Sequence, residues 1–262
     1  MTKTHLFALF ASIVAVVNAV NVTLPPIHGR FDYQIGGPYK PKASVKIVDR
    51  DHSVSPVSGL YNLCYVNAFQ TQPEQKKMWK TQYPDLLLKT ASGKLVQDPG
   101  WPGEFMLDTR TNSSRDGLFN VVKAWIDECA QKGFQAIEPD NLDSYSRSKN
   151  LITKQNNLDF AKMLANYSHS LGLAFGQKND ASITTTERDY VGFDYGIVEE
   201  CQKYKECPKY DALYGDRWIE IEYTNKAFKK ACKKRGKRVS IIRRDRDVVK
   251  RGKKKYVYKV CK

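Results

Sequence analysis

An α/β fold of the (β/α)8 type, a TIM barrel, is what this chain predicts, as a single domain with an extra C-terminal strand and a basic end. Three observations predict it. Short β-rich runs recur along the chain with amphipathic helices between several of them, and strands alternating with helices imply a parallel sheet. Seven of these runs end in polar, mostly charged residues, and in a barrel such ends converge on the face that carries the active site. No Gly-x-Gly-x-x-Gly follows the first run, which removes the main support for a doubly wound dinucleotide-binding sheet. The length of 262 residues suits one such domain.

The elements follow in order. Lys3 and His5 precede an apolar run from Leu6 to Val17, and Val17-Asn18-Ala19 supplies small residues for cleavage. A positive start, a short apolar core and a small-residue exit describe a secretory signal over residues 1–19, too short for a membrane span. A linker is expected over 20–30, the barrel over 31–247 and a basic segment over 248–262. No second long apolar run follows, so no transmembrane segment is expected and the mature protein reads as secreted and extracellular.

Eight runs read as strands: Phe31–Ile35, Val45–Val48, Leu60–Val66, Phe105–Leu107, Gln135–Ile137, Ala174–Gly176, Tyr195–Val198 and Trp218–Ile221. Arg238–Ile242 is a ninth, so either the first or the last is an addition to the barrel. Helices are expected over Leu118–Ala130, with Val121, Val122, Trp125 and Ile126 on one face, and over Leu158–Leu171, capped by Asn156 or Asn157.

Six cysteines, Cys64, Cys129, Cys201, Cys207, Cys232 and Cys261, suit an oxidising compartment. The short loop between Cys201 and Cys207 makes them the first expected pair, and Cys232 with Cys261 would staple the C-terminus. The histidines His5, His28, His52 and His169 show no ligand spacing with the cysteines, so no metal site is expected. Asn112-Ser113-Ser114, Asn166-Tyr167-Ser168 and Asn21-Val22-Thr23 are glycosylation sequons.

The strand ends carry the chemistry. Val48 leads to Asp49 and Asp51, Val66 to Asn67, and Leu107 to Asp108. Ile137 leads to Glu138, Asp140, Asn141 and Asp143, and Gly176 to Lys178 and Asn179. Val198 leads to Glu199 and Glu200, and Ile221 to Glu222 and Tyr223. A ring of carboxylates without metal-ligating histidines, in an exported barrel, points to glycosidic bond cleavage. That reaction needs two carboxyl groups in different protonation states.

Asp140 and Glu199 are the expected catalytic pair, with Glu138 and Glu200 as alternatives. Glu138 and Asp140 straddle a proline, so an extended chain points both the same way. Neighbouring acids (Glu138, Asp143, Glu200) are expected to raise one partner's pKa. Tyr33, Tyr65, Trp101, Tyr145 and Tyr223 fall at or beyond strand ends, where aromatic faces stack on sugar rings. Lys178 and Asn179 either hydrogen-bond substrate hydroxyls or brace Glu199. Asp49, Asp51, Asn67, Asp108, Asn141, Asp143 and Glu222 complete the expected substrate contacts.

Eight blocks carry a family resemblance: FDYQIGGPY, VKIVDRD, LYNLCYVNAFQ, GEFMLDTR, GFQAIEPDNLDSYSRS, GLAFGQKN, GIVEECQKYKEC and IEIEY. In this order, from Phe31 to Asp247, they resemble glycoside hydrolase family 114, the endo-α-1,4-polygalactosaminidases and their relatives. The resemblance implies a (β/α)8 barrel, endo-hydrolysis of an α-1,4-linked galactosamine or N-acetylgalactosamine polymer, and no cofactor. It places the acidic pair in the blocks that contain Asp140 and Glu199.

Charge is concentrated at one end. The formal net charge is +15, yet residues 226–262 hold 18 Lys/Arg against 2 Asp/Glu, and the rest of the chain holds 25 against 26. A polymer of deacetylated galactosamine is cationic, and a basic segment repels it over about 8 Å at physiological salt. Three readings are open: the segment lies away from the mouth and contacts an anionic surface, the substrate is neutral or acidic, or the segment is a solvated charged face. No nucleic-acid-binding motif accompanies the charge, and nucleic acid is not expected as a partner. A sugar-binding barrel without turnover is the alternative to an enzyme.

Overall fold

The computed structural model describes residues 21–261; the expected signal segment lies outside them. Nine strands form one sheet in sequential order: β1 (Phe31–Tyr33), β2 (Ile47–Asp51), β3 (Tyr61–Asn67), β4 (Ala136–Asp140), β5 (Ala174–Lys178), β6 (Tyr195–Glu199), β7 (Trp218–Glu222), β8 (Ser240–Arg244) and β9 (Tyr258–Val260). The pairs from β1–β2 to β7–β8 are all parallel, and β9 runs antiparallel along β8. The helices are α1 (Lys76–Gln82), α2 (Asn112–Lys132), α3 (Lys154–Ser170), α4 (Thr185–Val191), α5 (Cys201–Tyr204), α6 (Cys207–Tyr214) and α7 (Asn225–Arg235). Among the described residues no helix is long and apolar enough to cross a membrane.

Two of the sequence expectations need correction. Phe105–Leu107 is not a barrel strand: its residues make only isolated antiparallel bridges, to Gln70, Leu87 and Gln97, within the long excursion between β3 and α2. A short apolar run is equally compatible with a strand and with a buried loop segment, and here Leu107 and Met106 are buried beneath that excursion. The Arg238–Ile242 run takes its place as the eighth barrel strand, β8, so the true addition is β9. Helix α3 also begins earlier than expected. Thr153, not Asn156 or Asn157, is its N-cap, in a capping box with Asn156. Asn157 is buried instead, donating to the Leu142 carbonyl and the Ser144 hydroxyl. Threonine also caps α2, α4 and α7, each cap contributing about 1 kcal/mol.

Strand alternation sorts the chain into two cores. Inward residues such as Phe31, Ile47, Leu63, Ala136, Ala174, Ile197, Ile219 and Ile242 fill the barrel. Outward residues pack beneath the helices, Val66, Ile137 and Phe175 against Val122, Leu164 and Phe160. Gly176 is required by this packing, because a Cβ there would lie 2.7 Å from the Tyr195 ring inside the barrel.

The free edge of β8 is taken by β9, so β8 and β1 close the barrel indirectly. The Tyr258 hydroxyl donates to the Phe31 carbonyl at 2.9 Å, and Gly36 bridges to Val249. Three disulfides tie outer elements to the sheet and to each other: Cys64–Cys129 joins β3 to α2, Cys201–Cys207 joins α5 to α6, and Cys232–Cys261 joins α7 to the residue after β9. The segment beyond residue 247 is thereby built into the sheet and stapled.

Candidate active site

The period of two along each strand decides which strand-end residues meet. On β4 the inward positions are Ala136, Glu138 and Asp140; on β5 they are Ala174, Gly176 and Lys178; on β6 they are Tyr195, Ile197 and Glu199. These inward side chains converge on Lys178. Its Nζ lies 2.5 Å from Glu138 Oε1, 3.3 Å from Asp140 Oδ1 and 3.6 Å from Glu199 Oε2. The Lys178 side chain is 1% exposed and Glu138 0%, while Asp140 and Glu199 retain 19% and 25%. Two carboxyl groups thus open to solvent above one buried cation, and a third lies below it.

Each strand end is followed by a sharp change of direction. Asn141, Asn179 and Glu200, the residues after Asp140, Lys178 and Glu199, all adopt left-handed conformations, with φ of 65°, 51° and 58°. That region is uncommon for residues other than glycine, and such local strain concentrates at functional sites. It turns the chain away from the strand direction just beyond each inward side chain.

Neighbouring strands hold the two exposed acids. The Tyr65 hydroxyl donates to Asp140 Oδ2 at 2.6 Å, and the Asn141 backbone N–H donates to Oδ1 at 2.8 Å. Glu199 accepts from Asn179 Nδ2 at 3.0 Å and from the Tyr223 hydroxyl. Burial pushes the Asp140 carboxyl up, but the Lys178 ammonium, the Tyr65 hydroxyl and the Asn141 N–H outweigh it and hold the group below the usual carboxylate range. The expectation that neighbouring acids would raise the pKa of one partner therefore does not apply to Asp140, because the Lys178 ammonium and the two hydrogen bonds favour its ionised form. Lys178 is shifted down by burial but driven well above its ordinary value by Asp140, Glu138 and Glu199, so it stays charged.

Around this centre lies a cleft of about 990 Å³. Of the expected contacts, Tyr33, Tyr65, Asn67, Trp101, Asn141, Asp143, Tyr145, Asn179, Glu200 and Tyr223 line it. Their roles differ from simple sugar platforms. Tyr33 is fully buried and donates to Glu138 at 2.9 Å. Tyr145 donates to Asp180, Asn67 accepts from Asn141, and Asp143 pairs with Arg147. Glu200 pairs with Lys203 at 2.7 Å. Trp101, at 45% exposure, offers an open aromatic face.

Five expected site residues do not line the cleft. Glu138 and Asp49 face inward but sit one layer down, at 0% exposure, which removes Glu138 as an alternative to Asp140 in touching substrate. Asp51 closes its own turn through Ser53 and accepts from Gln72. Asp108 lies in the excursion rather than on a strand and grips Arg110 at 2.7 Å. Glu222 follows the outward parity of β7 and accepts from the Gln202 backbone N–H at 2.8 Å. Burial, offset in part by that N–H, and the charge of Glu220 push Glu222 up to about 8.

Other lining residues escaped the sequence reading. Asp98, Glu104, Gln72 and Glu74 come from the β3–α2 excursion, which has no strand to mark them. Tyr204, 57% exposed, belongs to the same EECQKY block as Glu199 and was legible there as a polar–aromatic run. Arg246 comes from the β8–β9 loop. The basic C-terminal segment is therefore not wholly remote from the mouth, although α7 covers the outside of the barrel. Ten acidic residues against three basic ones line the cleft, in a chain whose net charge is strongly positive.

Comparisons with known proteins bear on the family and the fold. The model of glycoside-hydrolase family GH114 matches residues 12–262. No match is found among curated protein sequences. Among solved structures, the chain is similar to Aspergillus fumigatus Ega3 in complex with galactosamine, with a TM-score of 0.72 at 20% identity, covering 93% of this chain and 100% of that one. It is also similar to the glycoside hydrolase domain of PelA from Pseudomonas aeruginosa, with a TM-score of 0.58 at 15% identity, covering 88% and 98%. A glutamate-to-alanine variant of that domain gives a TM-score of 0.60 at 14% identity, covering 88% and 98%.

Proposed function

Because the chain belongs to glycoside-hydrolase family GH114, and is a glycoside hydrolase, we propose that it is a secreted endo-enzyme cutting α-1,4-linked galactosamine-containing polysaccharide, with Asp140 and Glu199 as the working carboxyl groups. The observation that carries this reading is the shared approach of those two side chains to Lys178, at 3.3 and 3.6 Å.

Asp140, held ionised by Lys178 and Tyr65, suits attack at the anomeric carbon, which leaves Glu199 to donate its proton to the departing glycosidic oxygen. Water then adds to the glycosyl-enzyme as Glu199 takes a proton back. The two contacts to Lys178 limit the separation of Asp140 Oδ1 and Glu199 Oε2 to about 7 Å, which admits the ~5–5.5 Å of retaining enzymes and only the lower edge of the ~6.5–9.5 Å of inverting ones.

The acidic lining supports a cationic amino-sugar polymer, since it concentrates positive charge in the cleft even though the whole molecule is basic. The galactosamine in the Ega3 complex is consistent with this. Export is supported by the signal-like N-terminus and by three disulfides, which persist in oxidising compartments. Asn112 and Asn166 are both exposed and would accept glycans there.

The test is incubation of purified protein with α-1,4-galactosamine polymer, fully or partly N-acetylated, followed by chromatography of the products. Shortened oligomers are expected. Binding of the polymer with no shortening would overturn hydrolysis and leave a sugar-binding barrel.

A further inference from the structure

Beneath the cleft lie two carboxyl groups that bond cleavage does not use. Asp49 on β2 and Glu138 on β4 are each 0% exposed, and their carboxyl groups meet inside the barrel. Glu138 Oε1 is occupied by Lys178 Nζ at 2.5 Å and by the Tyr33 hydroxyl at 2.9 Å. Among the described residues, Glu138 Oε2 and both oxygens of Asp49 have no hydrogen-bond donor.

Among the described residues, the nearby hydroxyl and ammonium hydrogens are directed elsewhere. Tyr33 gives its only hydroxyl hydrogen to Glu138, Tyr65 gives its to Asp140, and Tyr195 gives its to the Ile137 carbonyl at 2.8 Å. Lys178 directs its ammonium at Glu138, the Tyr33 oxygen, Asp140 and Glu199. Asp140 is an acceptor. An ionised Asp49 without a donor, pressed against an ionised Glu138, would carry a desolvation cost of several kcal/mol. One hydrogen between them removes the conflict.

We propose that Asp49 is a neutral carboxylic acid whose O–H donates to Glu138 Oε2, and that it is a positioning residue for Lys178. With Asp49 neutral, a single negative charge lies below the ammonium, and Lys178 keeps its approach to the two acids at the mouth. A second buried negative charge would draw it downward. Burial first, then the charge of Glu138, favours the protonated form of Asp49. The protonation does not depend on the proposed activity; its consequence for turnover rests on Asp140 and Glu199 as the catalytic pair.

Asp49→Asn keeps a neutral donor toward Glu138, whereas Asp49→Ala removes it. Native-minus-Asp49→Asn infrared difference spectra near neutral pH should show a positive protonated-carboxyl band, over the contribution of Glu222 that both forms share. The unfolded chain releases the Asp49 proton near pH ~3.9. The melting temperature of Asp49→Asn should therefore rise relative to native as pH increases from about 4 to about 8, because only the native chain must keep a proton that its unfolded state gives up. In hydrolysis, Asp49→Asn should stay within about 3-fold of native, while Asp49→Ala should lose about 10-fold or more in kcat at similar KM.

An unchanged carboxyl band, with Asn melting below native by a pH-independent margin, overturns the proposal and makes Asp49 an ionised partner of Lys178. Asn as slow as Ala overturns the positioning role. If no form of the protein hydrolyses the polymer, the spectra and melting curves still decide the protonation, and the failure belongs to the proposed activity.

Discussion

The Tyr65 hydroxyl donates to Asp140 Oδ2 at 2.6 Å from the adjacent strand. Tyr65 lies beside Glu138 and Asn67 beside Asp140 in the β3–β4 register, so the phenol leans upward by one inward position to reach the mouth. On the other flank Lys178 meets Asp140 Oδ1. The carboxylate is held from two sides, and neither contact depends on a loop.

Removing either acid should stop turnover. Asp140→Asn and Glu199→Gln are each expected to lower kcat by about 10³-fold or more, with polymer binding retained. Product chromatography with each variant checks this, and normal cleavage by both would refute the pair.

Lys178→Met should destabilise the barrel as well as the site. It leaves Glu138 charged at 0% exposure without its partner, a change that costs about 3–5 kcal/mol when one member of a buried ion pair is removed. Urea unfolding measures the loss. The Lys178→Met variant should also lose turnover, because Asp140 no longer has the cation that keeps it ionised.

Glu222 links stability to pH. Its folded pKa is raised, to about 8, above the ordinary ~4.3 of the unfolded chain. Its contribution is therefore fully present below pH ~4.3 and is lost as pH rises toward about 8. Glu222→Gln should melt progressively higher than native across that window, measured by calorimetry at fixed salt. A constant difference would place the titration elsewhere.

Trp101→Ala removes an exposed face at the edge of the cleft without touching the acids. KM for long polymer should rise about 3- to 10-fold with kcat little changed, since the ring contributes equally to ground-state and transition-state binding. Steady-state kinetics on chains of two lengths separates this from a general defect.

The basic β8–β9 loop is expected to hold the enzyme on anionic surfaces. Lys253→Gln with Lys254→Gln alters two exposed cations away from the Cys232–Cys261 staple. Retention on an acidic polysaccharide column should fall, with salt weakening native retention in the same direction, while hydrolysis of soluble polymer is unchanged. Equal retention of both forms would refute the contact.

Much of this architecture was legible in the chain itself. Alternating strand and helix patterns specify a parallel barrel because β and α periods differ, and seven of the eight predicted runs became strands β1 to β7. The eighth, Phe105–Leu107, misled because three apolar residues bury equally well in a loop. The inward placement of Asp140 and Glu199 at strand ends was legible because parity along a strand is local: Ala136, Glu138 and Asp140 share one side wherever β4 sits. Depth was not legible. Glu138 and Asp140 look alike in sequence, yet one is sealed beneath Lys178 and the other opens to solvent, since depth depends on how far neighbouring strands rise around each residue. The same holds for Lys178, whose three carboxylate partners come from β4 and β6 and could be assembled only by closing the sheet. Composition and period act through nearest neighbours along the chain. Burial, charge pairing and the location of a shared proton arise between strands, and only the folded barrel decides them.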